Sequence, residues 1–279
     1  MAVIRLQQNR INPLVLPIIL AQELGFFDEF SVQVDLDLAE NFVFQGKSAF
    51  LEGEVDAQMG DTTFFFYYLK DGKKAMITST LTRTIQLAGT TDWQKKTPLT
   101  VGISQNGLFR FFIDTYLGEL LPNVSYTFIN NTYERIQALM ACEIDALVAI
   151  EPFITTVLNQ PNTEIIWHSN QLDACYVMWC FDADFVKNHP DDVRHFHQAL
   201  EKAGQYFNQQ TSLEKVALLE THCHLPKEKA LIFSDFEFEP QQNYSSSDFT
   251  LCQDWMHDQQ EITEKIKFFM QSHHTPKGE

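Results

Sequence analysis

Four short stretches carry the residue types that bind or transform small molecules. They are Arg10-Ile11-Asn12, Asp61-Thr62-Thr63, Ser104-Gln105-Asn106-Gly107 and Glu151-Pro152-Phe153. Arg10, Asp61 and Ser104 each follow a strand-like run and precede a helix-like segment. Free backbone N–H groups at such helix starts can meet an anion or a carbonyl. Arg10, a cation in an acidic chain, can clamp a carboxylate, sulfonate or phosphate, or form a surface salt bridge. Asn12, Thr62 and Asn106 suit a binding loop and equally suit helix N-caps. Glu151 can face a ligand or cap the helix beginning at Pro152. Arg83 and Arg110 are weaker candidates, because Arg110 falls within a helix whose surface its stem can cover. Phe44, Phe64, Phe109, Phe153 and Trp179 fall near strand ends, where aromatic rings could wall a ligand; most of the 24 Phe must be core.

The signatures of catalysis are thin. His195-Phe196-His197 and His222-Cys223-His224 invite a metal, but neighbouring ligands two residues apart point in different directions on a helix, and no CxxC or HExxH set completes them. Solvated or partly buried histidines account for them. The sequence contains no GxSxG, P-loop or GxGxxG pattern, and no nucleophile and base can be paired. No metal, no cofactor and no catalytic residue is expected. The five cysteines, Cys142, Cys175, Cys180, Cys223 and Cys252, form no CxxC pair and read as buried thiols.

The elements that must position these loops follow from the apolar periodicity. Leu51-Glu52-Gly53-Glu54-Val55-Asp56-Ala57 recurs as Met140-Ala141-Cys142-Glu143-Ile144-Asp145-Ala146. Each copy closes a helix-like run and opens a short strand that delivers a polar loop. Two such units imply two α/β lobes facing a ligand across a cleft. The first lobe reads as strands at Val3–Gln7, Val32–Leu38, Val55–Met59, Ala75–Ser79 and Gln86–Gly89, with helices at Pro13–Glu23, Phe44–Glu52 and Thr62–Leu69. A polar connector, Asp92–Pro98, crosses into the second lobe, which runs through strands at Leu99–Ile103, Ser125–Ile129 and Ala146–Ile150 and helices at Leu108–Leu120 and Tyr133–Ala141. Strand Cys175–Phe181 carries the chain back. Helices at Asp191–Phe207, Ser212–His222 and Ser247 to about Gln271 then pack onto the first lobe, before a tail at His273–Glu279. The expected domains are 1–92 plus 182–279, and 93–181.

Composition agrees. At 279 residues with 44% hydrophobic content, the chain can bury a core in each lobe. Its net charge of −17 argues against a nucleic-acid partner, which needs a concentrated basic surface. Leu14–Leu20 is apolar, but it contains Pro17 and is too short to span a bilayer, so no membrane insertion is expected. The start, Met1-Ala2-Val3-Ile4-Arg5, reads as a strand rather than a leader. The protein is thus cytoplasmic if Met1 is the true start, and periplasmic or extracellular if a leader was trimmed.

Ala21-Gln22-Glu23-Leu24-Gly25-Phe26-Phe27 with Val32-Gln33-Val34-Asp35-Leu36, Ser48–Ala57, and Ile144-Asp145-Ala146 leading to Glu151-Pro152-Phe153 resemble, in order, motifs of the solute-binding proteins for taurine, nitrate, sulfonate and thiamine-pyrimidine uptake. The likeness spans roughly residues 3 to 210. It implies a type II periplasmic-binding-protein fold, two mostly parallel sheets flanked by helices with a small ligand between the lobes, and hinge closure upon it. It also implies an ABC permease as partner. In that family the glutamate of the Glu-Pro loop sits at the cleft, where Glu151, and Asp61 from the first lobe, would suit an aminopyrimidine; Arg10 would suit a small anion. The family also includes thiamine-pyrimidine synthases with a Cys-rich stretch, which this chain lacks. A cytoplasmic synthase, lyase or ligand sensor reusing the same cleft is the alternative.

Overall fold

Gly53 and Cys142 hold equivalent places in the near-repeat, and both adopt left-handed backbone, with φ of 76° and 58°. In each copy the turn closes identically. Gly53 N–H donates to the Phe50 carbonyl (3.2 Å) and Glu54 N–H to Ala49 (2.9 Å), while Cys142 donates to Leu139 (3.1 Å) and Glu143 to Ala138 (2.9 Å). These bonds satisfy the carbonyls that a helical turn leaves open. The aspartate two residues further on then ties the new strand to its neighbour. Asp56 N–H donates to the Arg5 carbonyl (2.9 Å) and Asp145 N–H to that of Thr100 (2.8 Å). The side chains return the bond, accepting from Arg5 N–H and Thr100 N–H at 2.9 Å each.

The computed structural model of the chain describes residues 2–10, 12–39, 48–151 and 153–267. Phe44 with the start of its expected helix, Pro152 and the tail His273–Glu279 lie outside these. The strands are β1 (Val3–Asn9), β2 (Gln33–Ala39), β3 (Ala57–Asp61), β4 (Ala75–Thr80), β5 (Gln86–Thr90), β6 (Leu99–Ile103), β7 (Val124–Phe128), β8 (Ala146–Ala149), β9 (Thr163–His168) and β10 (Val177–Asp182). The helices are α1 (Leu16–Glu23), α2 (Phe26–Glu29), α3 (Thr62–Lys70), α4 (Leu108–Tyr116), α5 (Thr132–Met140), α6 (Phe153–Leu158), α7 (Ala183–Asn188), α8 (Pro190–Asn208), α9 (Ser212–His222), α10 (Lys227–Ala230) and α11 (Ser246–Asp258).

The chain divides into residues 1–82 with 175–279, and residues 83–174. The crossings therefore lie at 82/83 and 174/175, earlier than the 92/93 and 181/182 expected from the sequence. The cause is strand pairing. β5 runs antiparallel to β8 and β9 within the second unit. β10 runs antiparallel to β3 and β4 within the first. Alternation of apolar residues marks a strand but not the sheet it joins.

In the first unit β1 pairs in parallel with β2 in one sheet, β10 runs between β3 and β4 in another, and the Asp56–Arg5 bond ties the start of β3 to β1. The second unit's sheet has the order β7-β6-β8-β5-β9. In both, a parallel strand pair is tied through the repeat's aspartate to the strand that the repeat opens, and that strand pairs antiparallel with the next. The first unit's core lies where α1 and α8 meet the sheet. There Phe196, fully buried, stacks on Phe27 (5.9 Å) and receives the edges of Trp179 (5.2 Å) and Phe181 (5.5 Å). The second unit buries Ala88, Leu139, Leu147, Ile154 and Val157 in one cluster.

Some sequence expectations shift. The last helix ends at Asp258 rather than near Gln271, because Gln260 takes φ of 60° and Glu261 N–H turns back to the Met256 carbonyl (2.9 Å). Its N-cap is Ser245, whose Oγ accepts from Asp248 N–H. Four cysteines are buried, but Cys142, carried at the left-handed turn, is exposed. His197 is not solvated: it is 3% exposed, with Nε2 2.9 Å from Thr78 Oγ1 and Nδ1 2.5 Å from Gln241 Oε1.

Candidate functional site

The register of the second sheet gathers its polar loops at one edge. Ile103 pairs with Phe128, and Gln86 pairs with both Ala149 and His168, so the carboxyl ends of β6, β7, β8 and β9 and the first residue of β5 lie together. This is the edge where parallel α/β sheets bind ligands. Ser104–Gly107 leaves β6 there and enters α4. Gly107, with φ of 103°, stands at the N-cap with no side-chain cap, leaving the first N–H groups of α4 without a capping side chain. Ser104 Oγ donates to the Asn106 carbonyl (2.7 Å), and Gln105 N–H to Asn130 Oδ1 (2.9 Å). The loop is thereby shaped while the Gln105 and Asn106 side chains stay exposed.

Beneath this loop lies a residue that the sequence reading missed. Arg135, in the first half of α5, is 1% exposed. Its Nη1 donates to the carbonyls of Ile129 (2.6 Å) and Asn130 (3.0 Å), and its Nη2 to Thr132 Oγ1 (2.8 Å). The guanidinium lies 5.4 Å from the ring of Phe109, in the first turn of α4. Its Nε has no hydrogen-bond partner among the described residues, and none of their carboxylates pairs with it. Burial pushes the guanidinium down to about 10, so it stays protonated at neutral pH. The signal was present: Arg135 falls three and four residues before Ala138 and Leu139, on the buried stripe of its helix. Gly102 leaves room for Ile144, since a Cβ there would lie 2.5 Å from Ile144 Cδ1, while it would only touch Arg135 Cδ at 3.7 Å.

Glu151 follows β8 at the same edge. Its carboxylate accepts from Thr155 N–H (3.1 Å), from Thr155 Oγ1 (3.1 Å) and, at 3.4 Å, from Gln86 Nε2. It therefore stabilises the start of α6 and still presents acceptor capacity. Thr84 and Ser169, 3% and 2% exposed beside the ends of β5 and β9, carry hydroxyls without hydrogen-bond partners among the described residues.

The first unit places its candidates at the corresponding edge, each in local use. Asp61 is the N-cap of α3, accepting from Thr63 N–H (2.9 Å), Phe64 N–H (3.1 Å) and Thr63 Oγ1 (2.5 Å). Thr62 and Thr63 are buried; Thr62 Oγ1 donates to the Tyr176 carbonyl (2.9 Å) and lies 2.5 Å from the Tyr244 hydroxyl. Asn12 caps the short 3-10 turn Pro13–Val15 through Leu14 N–H (3.1 Å). Arg10 Nη1 donates to the His222 carbonyl at the end of α9 (3.1 Å), where a cation suits the helix dipole. Of the other arginines, Arg83 donates to the Leu172 carbonyl (2.5 Å), and Arg110 pairs with Asp114 one turn on (3.2 Å). Trp179 is core, and Phe64 is 41% exposed. The structure thus brings Ser104, Gln105, Asn106 and Glu151 to one edge in the second unit, and Asn12, Asp61, Thr62 and Thr63 to strand ends in the first.

Among the described residues no three His, Cys, Asp or Glu side chains are grouped to hold a metal ion. No helix of these residues is long and apolar enough to cross a membrane.

No protein-family model matches the sequence, and no curated protein matches it. Solved structures do. The periplasmic aliphatic sulphonate binding protein SsuA of Escherichia coli aligns over 95% of this chain and 89% of its own, at 11% identity and a TM-score of 0.77. The alkanesulfonate-binding protein SsuA of Xanthomonas axonopodis pv. citri, solved bound to MOPS, covers 93% and 94% at 10% identity and 0.72. The ligand-binding component of an ABC-type import system from Staphylococcus aureus, solved with zinc, covers 95% and 94% at 13% identity and 0.71. The chain therefore has the α/β fold of periplasmic binding proteins, with mixed sheets flanked by helices.

Proposed function

We propose that this chain is the solute-binding component of an ABC-type importer, and that it holds a small anion of the sulfonate class at the carboxyl edge of residues 83–174. The observation that supports the charge of the ligand is Arg135. A buried cation without a counter-charge is costly, and an anion seated on the N–H groups that open α4 would lie beside it. Gln105 and Asn106 supply exposed amides for sulfonate oxygens. Glu151 suits a donor on the same ligand, such as an amino group, so a taurine-like aminosulfonate fits this edge better than nitrate does. The fold neighbours named for sulfonates agree with this reading.

A thermal-shift series with ethanesulfonate, taurine, nitrate and 4-aminopyrimidine tests it, since a ligand that binds only the folded state raises its melting temperature. The expected order is taurine and ethanesulfonate above nitrate, with 4-aminopyrimidine inert. Stabilisation by 4-aminopyrimidine and by none of the anions would overturn the assignment.

A further inference from the structure

Asn106-Gly107 is the only Asn-Gly step in the chain, and it stands in the loop that enters α4. Asparagine is a thermolabile residue. The backbone nitrogen of the next residue can attack its side-chain amide, and a glycine there has no Cβ to hinder the approach. Asn106 is exposed. Its carbonyl is held by Ser104 Oγ (2.7 Å), but among the described residues neither its side-chain amide nor the Gly107 N–H makes a hydrogen bond. Gly107, with φ of 103° and ψ of −175°, is not yet helical. The one other step that pairs a short acidic or amide side chain with a following glycine is Asp71-Gly72. There the Gly72 N–H donates to the Leu69 carbonyl (3.0 Å), which holds the nitrogen in place.

We infer that Asn106 is a site of spontaneous covalent modification, a deamidation that closes the anion site at the edge of residues 83–174. The Gly107 nitrogen gives its proton to hydroxide and attacks Asn106 Cγ. The N–Cγ bond forms, the Cγ–Nδ2 bond breaks, and Nδ2 leaves as ammonia with a proton from water. Water then opens the cyclic imide. Cleavage at Cγ leaves aspartate at position 106; cleavage at the main-chain carbonyl leaves isoaspartate, with one more methylene in the backbone. Either product places a carboxylate at the start of α4, where the N–H groups favour negative charge, so the chain's own carboxylate occupies the field that an anion would use and repels it. This effect on affinity rests on the anion assignment above; the conversion does not.

The full chain is kept for about two weeks at pH 8 and, in parallel, at pH 6, and its peptides are then weighed, with fragmentation to separate aspartate from isoaspartate. The Asn106 peptide should gain about one dalton, at least fivefold faster at pH 8, and at least tenfold faster than the peptide of Asn123, which is equally exposed but precedes β-branched Val124. Calorimetry with ethanesulfonate should show the number of binding sites falling by the converted fraction. In Asn106→Gln, whose longer side chain closes a ring far more slowly, the number of sites should not change with age, whatever its starting affinity. An unchanged Asn106 mass, or conversion no faster than at Asn123, would overturn the inference, as would full binding by a converted chain. Absence of binding by the fresh chain would instead contradict the anion assignment, and the masses would still decide the modification.

Discussion

Arg135 gives the loop between β7 and α5 its shape, because its fork satisfies two carbonyls and a hydroxyl at once. Arg135→Met should lower stability by about 1–3 kcal/mol, since buried carbonyls lose their donors, and Arg135→Lys should not restore it because an ammonium cannot reproduce the planar fork. Urea unfolding of the three proteins reads this directly. Asp182 links a side chain to pH. Burial works against its ionisation, yet Lys73 Nζ at 2.8 Å and the N–H groups of Asp184 and Phe185 hold its carboxyl below the ordinary 3.8. The folded state therefore favours the carboxylate. That stabilisation is complete above the ordinary value and is lost as pH falls below it. Asp182→Asn keeps a capping oxygen but loses the charge that faces Lys73 and the start of α7, so it should cost about 0.5–1 kcal/mol at pH 7 and should shrink the acid-induced loss of stability below pH 4. An unchanged acid limb in that variant would contradict this account. At this scale the sequence was only partly legible. Asn12 was readable as a cap, whereas the capping role fell to Asp61 and not Thr62, because residue type alone does not say which of two neighbours turns its side chain back.

The repeat that opens β3 and β8 shows how much a single element can disclose through its residue order. Its Asp56 and Asp145 do the same work, so their recurrence reflected a real equivalence in strand pairing. The turn ahead of each demands left-handed backbone, which glycine adopts freely and cysteine does not. Gly53→Ala, with open space around its Cβ, should cost about 1 kcal/mol from backbone strain, whereas Cys142→Gly should gain about 0.5 kcal/mol. Opposite shifts in melting temperature for the two variants would bear this out; a loss in both would not. α9 was legible to the residue, Ser212–His222, because Thr211 and Glu214 form a capping box around a periodic run. The end of α11 was not, since Gln260 turns the chain without a glycine to announce it. Nor could the sheet that β5 and β10 join be read, because pairing partners lie far away in sequence.

At the scale of the whole chain, charge sets the terms for any ligand. A net charge of −17 repels an anion during approach, so added salt should speed association with ethanesulfonate. The contact with buried Arg135 is screened less. The fold was legible as two α/β units from periodicity and the repeat, while the site's cation was marked only by its place on the apolar stripe of α5, since composition does not distinguish a buried arginine from those that stay on the surface. The most direct test of the central claim is a calorimetric titration of the full chain and of Asn106→Asp with ethanesulfonate. Asn106 is exposed at the start of α4, so this variant should fold normally while placing a negative charge where the anion is expected. The account predicts one saturable site in the parent chain and at least a tenfold loss of affinity in the variant, with melting temperatures alike. Equal affinity in both proteins, or no binding by the parent, would contradict it.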